Sequence, residues 1–361
     1  MKPIIDPVDR GLLKAELTEE RHLRKTNRAG NELYVVGPEA VNVIREIGRL
    51  REIAFRNDGG GTGEPLDIDK FDTDPAYGYK QLVLWDPDAE EIIGGYRFCR
   101  CDEAVYDRFG QPILTSSHMF KFSRKFLRDY LPYTLELGRS FVSVDYQSSK
   151  AGSKSIYALD NLFDGIAALM VLYKDSMKYL FGKMTIYPLY NHVARDLILR
   201  FLSKHFHDPD ELVSPYHPIG FETDPVLANL ILCESDLRKD YRRLKEAVRN
   251  LGTNIPPLVN SYINLSSTMK CFGSTVNDEL GNAIETGIMI CFNEMYEDKR
   301  ERHIEAFLRK RLEDIREKHP RFYASAAEKL REHMEKRRLK FFQKFQRELR
   351  PQEQSPEVEF L

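Results

Sequence analysis

Apolar residues recur at helical spacing over residues 38–57. Val43, Ile47, Leu50 and Ala54 form one stripe, which Ile44 and Ile53 widen. The pattern stops at Asn57-Asp58-Gly59-Gly60-Gly61, a strong helix-ending signal. Upstream, residues 12–24 are charged and helix-prone, and residues 31–37 read as a short strand. Residues 79–85 and 92–100 have strand character, and the Asp86-Pro87-Asp88 turn between them predicts an antiparallel hairpin. The acidic stretch through Asp67, Asp69, Asp72 and Asp74 reads as a flexible loop. Residues 117–130 read as a helix, 135–144 as a central strand and 156–173 as a strongly apolar, buried helix. A strand over 177–186 and a helix over 191–206 follow, with Asn191 near the helix start. Beyond an irregular region, a charged helix is predicted near 235–250. Two further strands, 269–276 and 287–292, flank a loop at Asn277-Asp278-Glu279-Leu280-Gly281.

This order predicts an α/β (α+β) fold with a mixed, mostly antiparallel twisted sheet flanked by helices. From Tyr296 the composition changes: residues 297–350 hold 18 Lys and Arg against 11 Asp and Glu. The expected division is therefore a main α/β domain over 1–295, with additional strands and helices, and a charged, helical basic extension over 296–361. The chain has 361 residues, 42% hydrophobic, with a net charge of −2, which argues against a general nucleic-acid binder. Five scattered cysteines argue for reduced thiols and a cytoplasmic setting. Cys99 and Cys101 lack the further Cys/His pair that a zinc site needs, and no metal is expected. No secretory signal or spanning apolar run is visible.

The segment 135–146, LELGRSFVSVDY, concentrates the candidate chemistry. It sets the carboxylate of Glu136 three residues from the guanidinium of Arg139 at the start of a strand. The loop QSSKAGSK (147–154) and an apolar helix follow. Strand, polar loop and helix N-terminus make a phosphate-binding device, because the first amides of a helix are unpaired and its dipole favours anions. Lys150, Gly152 and Lys154 are the candidates there; the bland alternative is a solvated loop.

At this point the residues resemble a family. RLREIAFR (49–56), DIDKFD (67–72), IIGGYRF (92–98), LELGRSFVSVDY and LDNLFDGI (159–166) occur in the order found in the ornithine-lipid and glycine-lipid N-acyltransferases. These form a branch of the GNAT superfamily, sometimes labelled hemolysins, and are similar to acyl-homoserine-lactone synthases. The resemblance spans roughly residues 45–205; GGGTGEPLDIDKFD and YKQLVLWDP look like the version found in Bacteroidetes-type bacteria. It implies a GNAT-like fold and transfer of a 3-hydroxy fatty acyl group from acyl carrier protein to the α-amine of a small amino acid. Glycine and ornithine are the leading acceptors, and no tightly bound cofactor is implied.

The resemblance marks Arg51, Asp69, Asp72, Arg97, Glu136 and Arg139 as lining the acceptor pocket or holding it together. An amine that attacks a thioester must first lose a proton, so a base is useful. Glu136 is the first candidate for that base or for placing the ammonium; the alternative is an ion pair with Arg139 or Arg97. Arg139 and Arg97 suit the acceptor carboxylate, or pairing with the acidic loop. A backbone amide near Phe141, Val142 or Ser143 would polarise the thioester. Tyr187, Tyr190 and Asn191 lie where GNAT enzymes often have a residue near the leaving thiolate, with packing as the alternative role. Ordinary GNAT enzymes carry a Q/R-x-x-G-x-G/A pattern for coenzyme A. Only Gly152 matches it clearly, which suits the phosphopantetheine of a carrier protein over acyl-coenzyme A.

Two other readings compete: a coenzyme A-dependent short-chain N-acetyltransferase and a non-enzymatic membrane-binding protein. The basic tail, with Phe341, Phe342 and Phe345, suits an anionic membrane at the inner face of the inner membrane, an acidic carrier protein, or packing on the core.

Overall fold

The computed structural model describes residues 1–147, 152–318, 328, 331–332 and 335–336. The chain divides into two compact units, Met1–Ile304 and Glu305–Leu361. The strands are β1 (His22–Lys25), β2 (Glu32–Val36), β3 (Lys80–Asp86), β4 (Glu91–Arg100), β5 (Phe120–Phe122), β6 (Thr134–Val142), β7 (Tyr179–Ile186), β8 (Val213–Pro215), β9 (Lys270–Asn277) and β10 (Ala283–Cys291). The helices of the first unit are α1 (Arg10–Glu16), α2 (Val41–Asn57), α3 (Lys70–Thr73), α4 (Arg124–Asp129), α5 (Gly152–Leu172), α6 (His192–His205), α7 (Pro225–Ile231), α8 (Leu237–Asn250), α9 (Pro257–Ile263) and α10 (Glu297–Arg300). In the second unit, α11 spans Ala306–Lys318.

Eight strands form one sheet in the order β1-β2-β3-β4-β6-β7-β10-β9, while β5 and β8 make a separate pair. Every neighbouring pair is antiparallel except β6 and β7, which run parallel. The alternation along the strands divides the core between the two faces. Leu82, Leu84, Tyr96, Phe98, Leu135 and Leu137 pack with α5 and α6 on one face. Val83, Trp85 and Phe141 pack with the apolar stripe of α2 on the other.

Two irregularities position the site. The pairing of β6 with β7 covers only Thr134↔Tyr179, Leu135↔Leu180 and Glu136↔Phe181, and then the strands part. On its other edge β6 carries a bulge. Gly95 pairs with Phe141 and Arg97 with Gly138, so Tyr96 stands opposite both Arg139 and Ser140. Arg139 has a φ of +47°, a left-handed conformation that side chains rarely adopt. The two glycines of IIGGYRF are explained here. A Cβ on Gly94 would sit 2.5 Å from the carbonyl oxygen of Phe141, and one on Gly95 would sit 2.7 Å from that of Leu82.

The acidic stretch is not the flexible loop that the sequence suggests. Asp69 caps α3 in a reciprocal capping box with Asp72. Asp72 is buried against Arg51 of α2 at 2.8 Å and Arg97 of β4 at 2.9 Å, and Gln81 of β3 donates to it at 2.8 Å. The neighbouring glycine loop is tied in the same way. Buried Glu52 accepts from the Thr62 and Gly63 amides at 2.9 and 2.8 Å, and from Arg56 at 2.7 Å. Charge pairing thus orders residues that composition marks as solvated.

Elsewhere the differences are local. The helix expected over 117–130 is β5 followed by α4, because Phe120 and Phe122 alternate inward and pair with β8. The helix-prone 12–24 segment ends at Glu16 and continues into strand β1. The strand expected from Gly287 begins four positions earlier, at Ala283. The first unit also runs past the change of composition at Tyr296. His303 is buried in it, 2.7 Å from Asp164 of α5. All five cysteines are free thiols.

Two expectations test this framework. Gly94→Ala should destabilise the protein by about 1–3 kcal/mol in urea unfolding, since backbone must move to admit a methyl group. Asp72→Asn should cost about 3–5 kcal/mol, because it leaves two guanidinium groups buried beside a neutral amide. Burial opposes ionisation of Asp72, but Arg51 and Arg97 outweigh it and hold the carboxyl below its usual range. A native pKa that is depressed gives stability that is present above the unfolded value of about 4 and lost as pH falls below it. Acid titration of unfolding should therefore be flatter below about pH 4 in Asp72→Asn than in the unaltered protein.

Candidate functional site

Where β6 and β7 part, the sheet opens into a cavity of about 1110 Å³. That is just above the roughly 300–1,000 Å³ usual for small-molecule sites. Its lining comes from both faces of the sheet. On the α2 face it is polar, with Asp69, Arg97, Arg139, Lys183, Thr185 and Glu285. On the α5 face it is mostly apolar, with Leu137, Ile156, Leu159, Ile186, Leu258 and Tyr262. A long apolar group and a small charged molecule thus have separate walls in one space.

The polar wall follows from strand periodicity. Lys183, Thr185 and Tyr187 recur every second residue along β7 and its end, so they share a face. Glu285 of β10 pairs directly with Thr185, and Gly287 with Lys183. Glu285 is only 2% exposed; the Thr185 hydroxyl donates to it at 3.1 Å and Asn277 at 3.3 Å. Lys183 makes no hydrogen bond or ion pair among the described residues. Burial lowers its pKa, Glu285 opposes that shift and Arg139 adds to it. Arg139 approaches Asp67 at 3.1 Å, and its Nε lacks a hydrogen-bond partner among the described residues.

The residues singled out from the sequence fall into three groups. Asp69, Arg97 and Arg139 line the cavity. Arg97 is held by Asp69 at 2.7 Å and by Asp72. Arg51 and Asp72 are buried behind them and do not reach the cavity; they hold its wall together.

Glu136 does not open into the cavity, contrary to its expected place beside the acceptor. It lies on the same sheet face as Arg97 but is 1% exposed, roofed by Tyr79 and Ser116. The Ser116 amide and hydroxyl donate to it at 3.1 and 2.6 Å, and the Tyr79 hydroxyl donates as well. Burial, reinforced by Glu136, pushes the Tyr79 phenol far above its usual range. A carboxylate with three donors and no open side is a structural anchor in this geometry.

On the donor side, Phe141 and Val142 line the cavity beside the bulge, whereas the Ser143 amide already donates to the Ile93 carbonyl at 2.8 Å. The expected phosphate ligands Lys150, Gly152 and Lys154 lie outside the described residues, apart from the backbone of Gly152 and Lys154, which begins α5. Asn191 does not line the cavity; its side chain caps α6, accepting from the Ala194 amide at 3.0 Å. Tyr187 and Tyr190 do line it. The Tyr190 hydroxyl donates to the Asn254 carbonyl at 2.9 Å, and burial pushes its pKa up to about 12. Burial also raises Tyr187, so its phenol keeps its proton. Sequence reading missed Lys183, Thr185 and Glu285. Their signal was a charged residue at an inward position of an otherwise apolar strand, which becomes readable only once the register is known.

Residues 50–155 match the acetyltransferase (GNAT) domain family. The glycine N(alpha)-acyltransferase of Phocaeicola vulgatus is 52% identical over 319 residues, covering 88% of this chain and 97% of the relative. That of Bacteroides thetaiotaomicron is 53% identical over 309 residues, covering 85% and 91%. Among solved structures, a coenzyme A-dependent acyl-homoserine lactone synthase, BjaI, matches with a TM-score of 0.32 and 11% identity over 75% of this chain and 86% of the other. With half its residues shared with those relatives across nearly their whole length, and the cavity set where its sheet opens, the chain belongs to the glycine N(alpha)-acyltransferase family within the GNAT acyltransferases.

Proposed function

We propose that this protein transfers a fatty acyl group, 3-hydroxylated, from the phosphopantetheine of acyl carrier protein to the α-amine of glycine. The product is a lyso-aminolipid, the first intermediate of a glycine lipid. An acyltransferase needs an acyl donor, and the cavity supports a long one. The observation that carries the reading is the two-walled cavity at the β6–β7 opening, in a chain of this family.

In this reading the pantetheine arm lies between the parted strands, in place of the missing strand pairing. Its phosphate meets the start of α5, where helix amides and the dipole favour an anion. The acyl tail follows the apolar wall of Leu159, Ile186 and Leu258. The bulge at Arg139 and Ser140 breaks the regular ladder beside Phe141, which leaves room for a backbone amide to polarise the thioester carbonyl. Tyr187, protonated and beside the same opening, suits return of a proton to the departing sulfur. Peripheral contact with the inner face of a membrane suits such a product; no helix among the described residues is long and apolar enough to cross one.

Weak agreement with the coenzyme A-gripping pattern favours the carrier protein as donor. The Bacteroidetes-like wording of the motifs favours glycine over ornithine, as do the two glycine N(alpha)-acyltransferase relatives.

Purified protein given 3-hydroxyacyl carrier protein and glycine should yield N-acylglycine by mass spectrometry. Its kcat/KM should exceed that with the matching acyl-coenzyme A by tenfold or more. Equal use of acetyl-coenzyme A, or acylation of ornithine in preference to glycine, would overturn the assignment of donor or acceptor.

A further inference from the structure

We propose that Lys183 and Glu285 are the two poles of the acceptor site: Lys183 holds the α-carboxylate of the amino acid, and Glu285 takes the proton that its ammonium loses. This deepens the acyltransferase reading above and rests on it.

The register places the pair. Lys183 faces Gly287 and Glu285 faces Thr185, so their side chains lie diagonally on one face of neighbouring strands. Such positions have Cβ atoms roughly 7–8 Å apart. No ion pair joins them, although Glu285 is within electrostatic reach of Lys183. Glu285 is buried and Lys183 half-buried on the cavity wall, and an acid and base left apart in such surroundings are unfavourable unless something completes each of them. Glu285 receives two long hydrogen bonds, at 3.1 and 3.3 Å, and an ionised carboxylate has about four acceptor sites. Lys183 has three donors and no partner among the described residues. An amino-acid zwitterion carries charges of the complementary sign at its two ends and bridges the gap.

Other carboxylates at the site are committed elsewhere. Glu136 is roofed by three donors, Asp69 and Asp72 are paired with Arg97, and Asp58, Asp107 and Glu279 lie on the exposed rim. The ionisable groups that act on Lys183 besides Glu285 are Arg139, Glu136 and Arg97, and Glu285 in turn acts on Tyr187 and Tyr262. Arg139 lies beside Lys183, so the carboxylate end meets two cations.

The step balances as follows. Glu285 accepts one proton from the bound ammonium, and the freed amine forms a C–N bond to the thioester carbonyl carbon. The C–S bond breaks, a second nitrogen proton passes to the sulfur, and a thiol leaves. The proton on Glu285 is released to water.

The test compares glycine with glycine methyl ester, which lacks the carboxylate charge, as acceptors for the same acyl carrier protein donor. Lys183→Met should raise the KM for glycine at least tenfold and lower the preference for glycine over the ester by a similar factor. Lys183→Arg should restore part of that preference. Glu285→Gln should lower kcat by about 10²–10⁴-fold at neutral pH, with a deficit that narrows as rising pH supplies free amine. Glu285→Asp should recover part of the rate. The preference is a ratio measured on one protein, so partial misfolding does not mimic its loss. An unchanged preference in Lys183→Met, or an unchanged rate and pH profile in Glu285→Gln, overturns the assignment. Unaltered protein that acylates no glycine from any donor overturns the functional reading itself.

Discussion

The structure depends on two parallel strands that stop pairing after three residue pairs. Beyond Glu136 and Phe181, β6 and β7 present backbone and side chains to an opening instead of to each other. Between the other neighbouring strands of the sheet, among the described residues, the pairing is antiparallel. The gap creates a polar edge inside the protein, which a ligand can complete. The proposed site is arranged around it: a bulge on one side, the β7–β10 face on the other, and α5 at one end.

Keeping such a gap open requires stiff walls. The bulge strand is pressed against β4 through two glycines, so its backbone has little freedom to close the gap. Behind it, Arg51, Asp72, Arg97, Asp69 and Gln81 join α2, α3, β3 and β4 in one buried network. Removing one member strands the others as unpaired buried charges, which makes the network rigid as well as stabilising. Glu136 performs the same service on the next position of the sheet, pinning Ser116 and Tyr79 over the closed end of the splay. The residues that make the family recognisable are therefore largely wall, with the cavity in front of them.

The division between polar and apolar walls matches the chemistry of joining a fatty chain to an amino acid. Alternation along β7 sends Met184 and Ile186 to the apolar side and Lys183, Thr185 and Tyr187 to the polar side. One strand thus contributes to both walls, and only a through-sheet opening lets both meet at a single carbonyl carbon.

The sequence by itself determined most elements and the fold class. The stripe of α2, the hairpin of β3 and β4, the central strand β6 and the helix α5 were all legible, because burial on one face leaves a periodic signature. It also determined the family, through an ordered set of motifs. It failed where long-range pairing overrides local composition. The acidic stretch around Asp72 looks solvated, yet two arginines distant in sequence bury it. Phe120 and Phe122 sit in a helix-like stretch, yet β8 draws them into a strand. Glu136 stood out for its place in a motif, but whether a carboxylate meets solvent or a roof of donors depends on segments twenty and more residues away. Lys183 and Glu285 are about a hundred residues apart and carry no local signal. Only the β7–β10 register brings them to one face, because register is a property of the sheet and not of either strand.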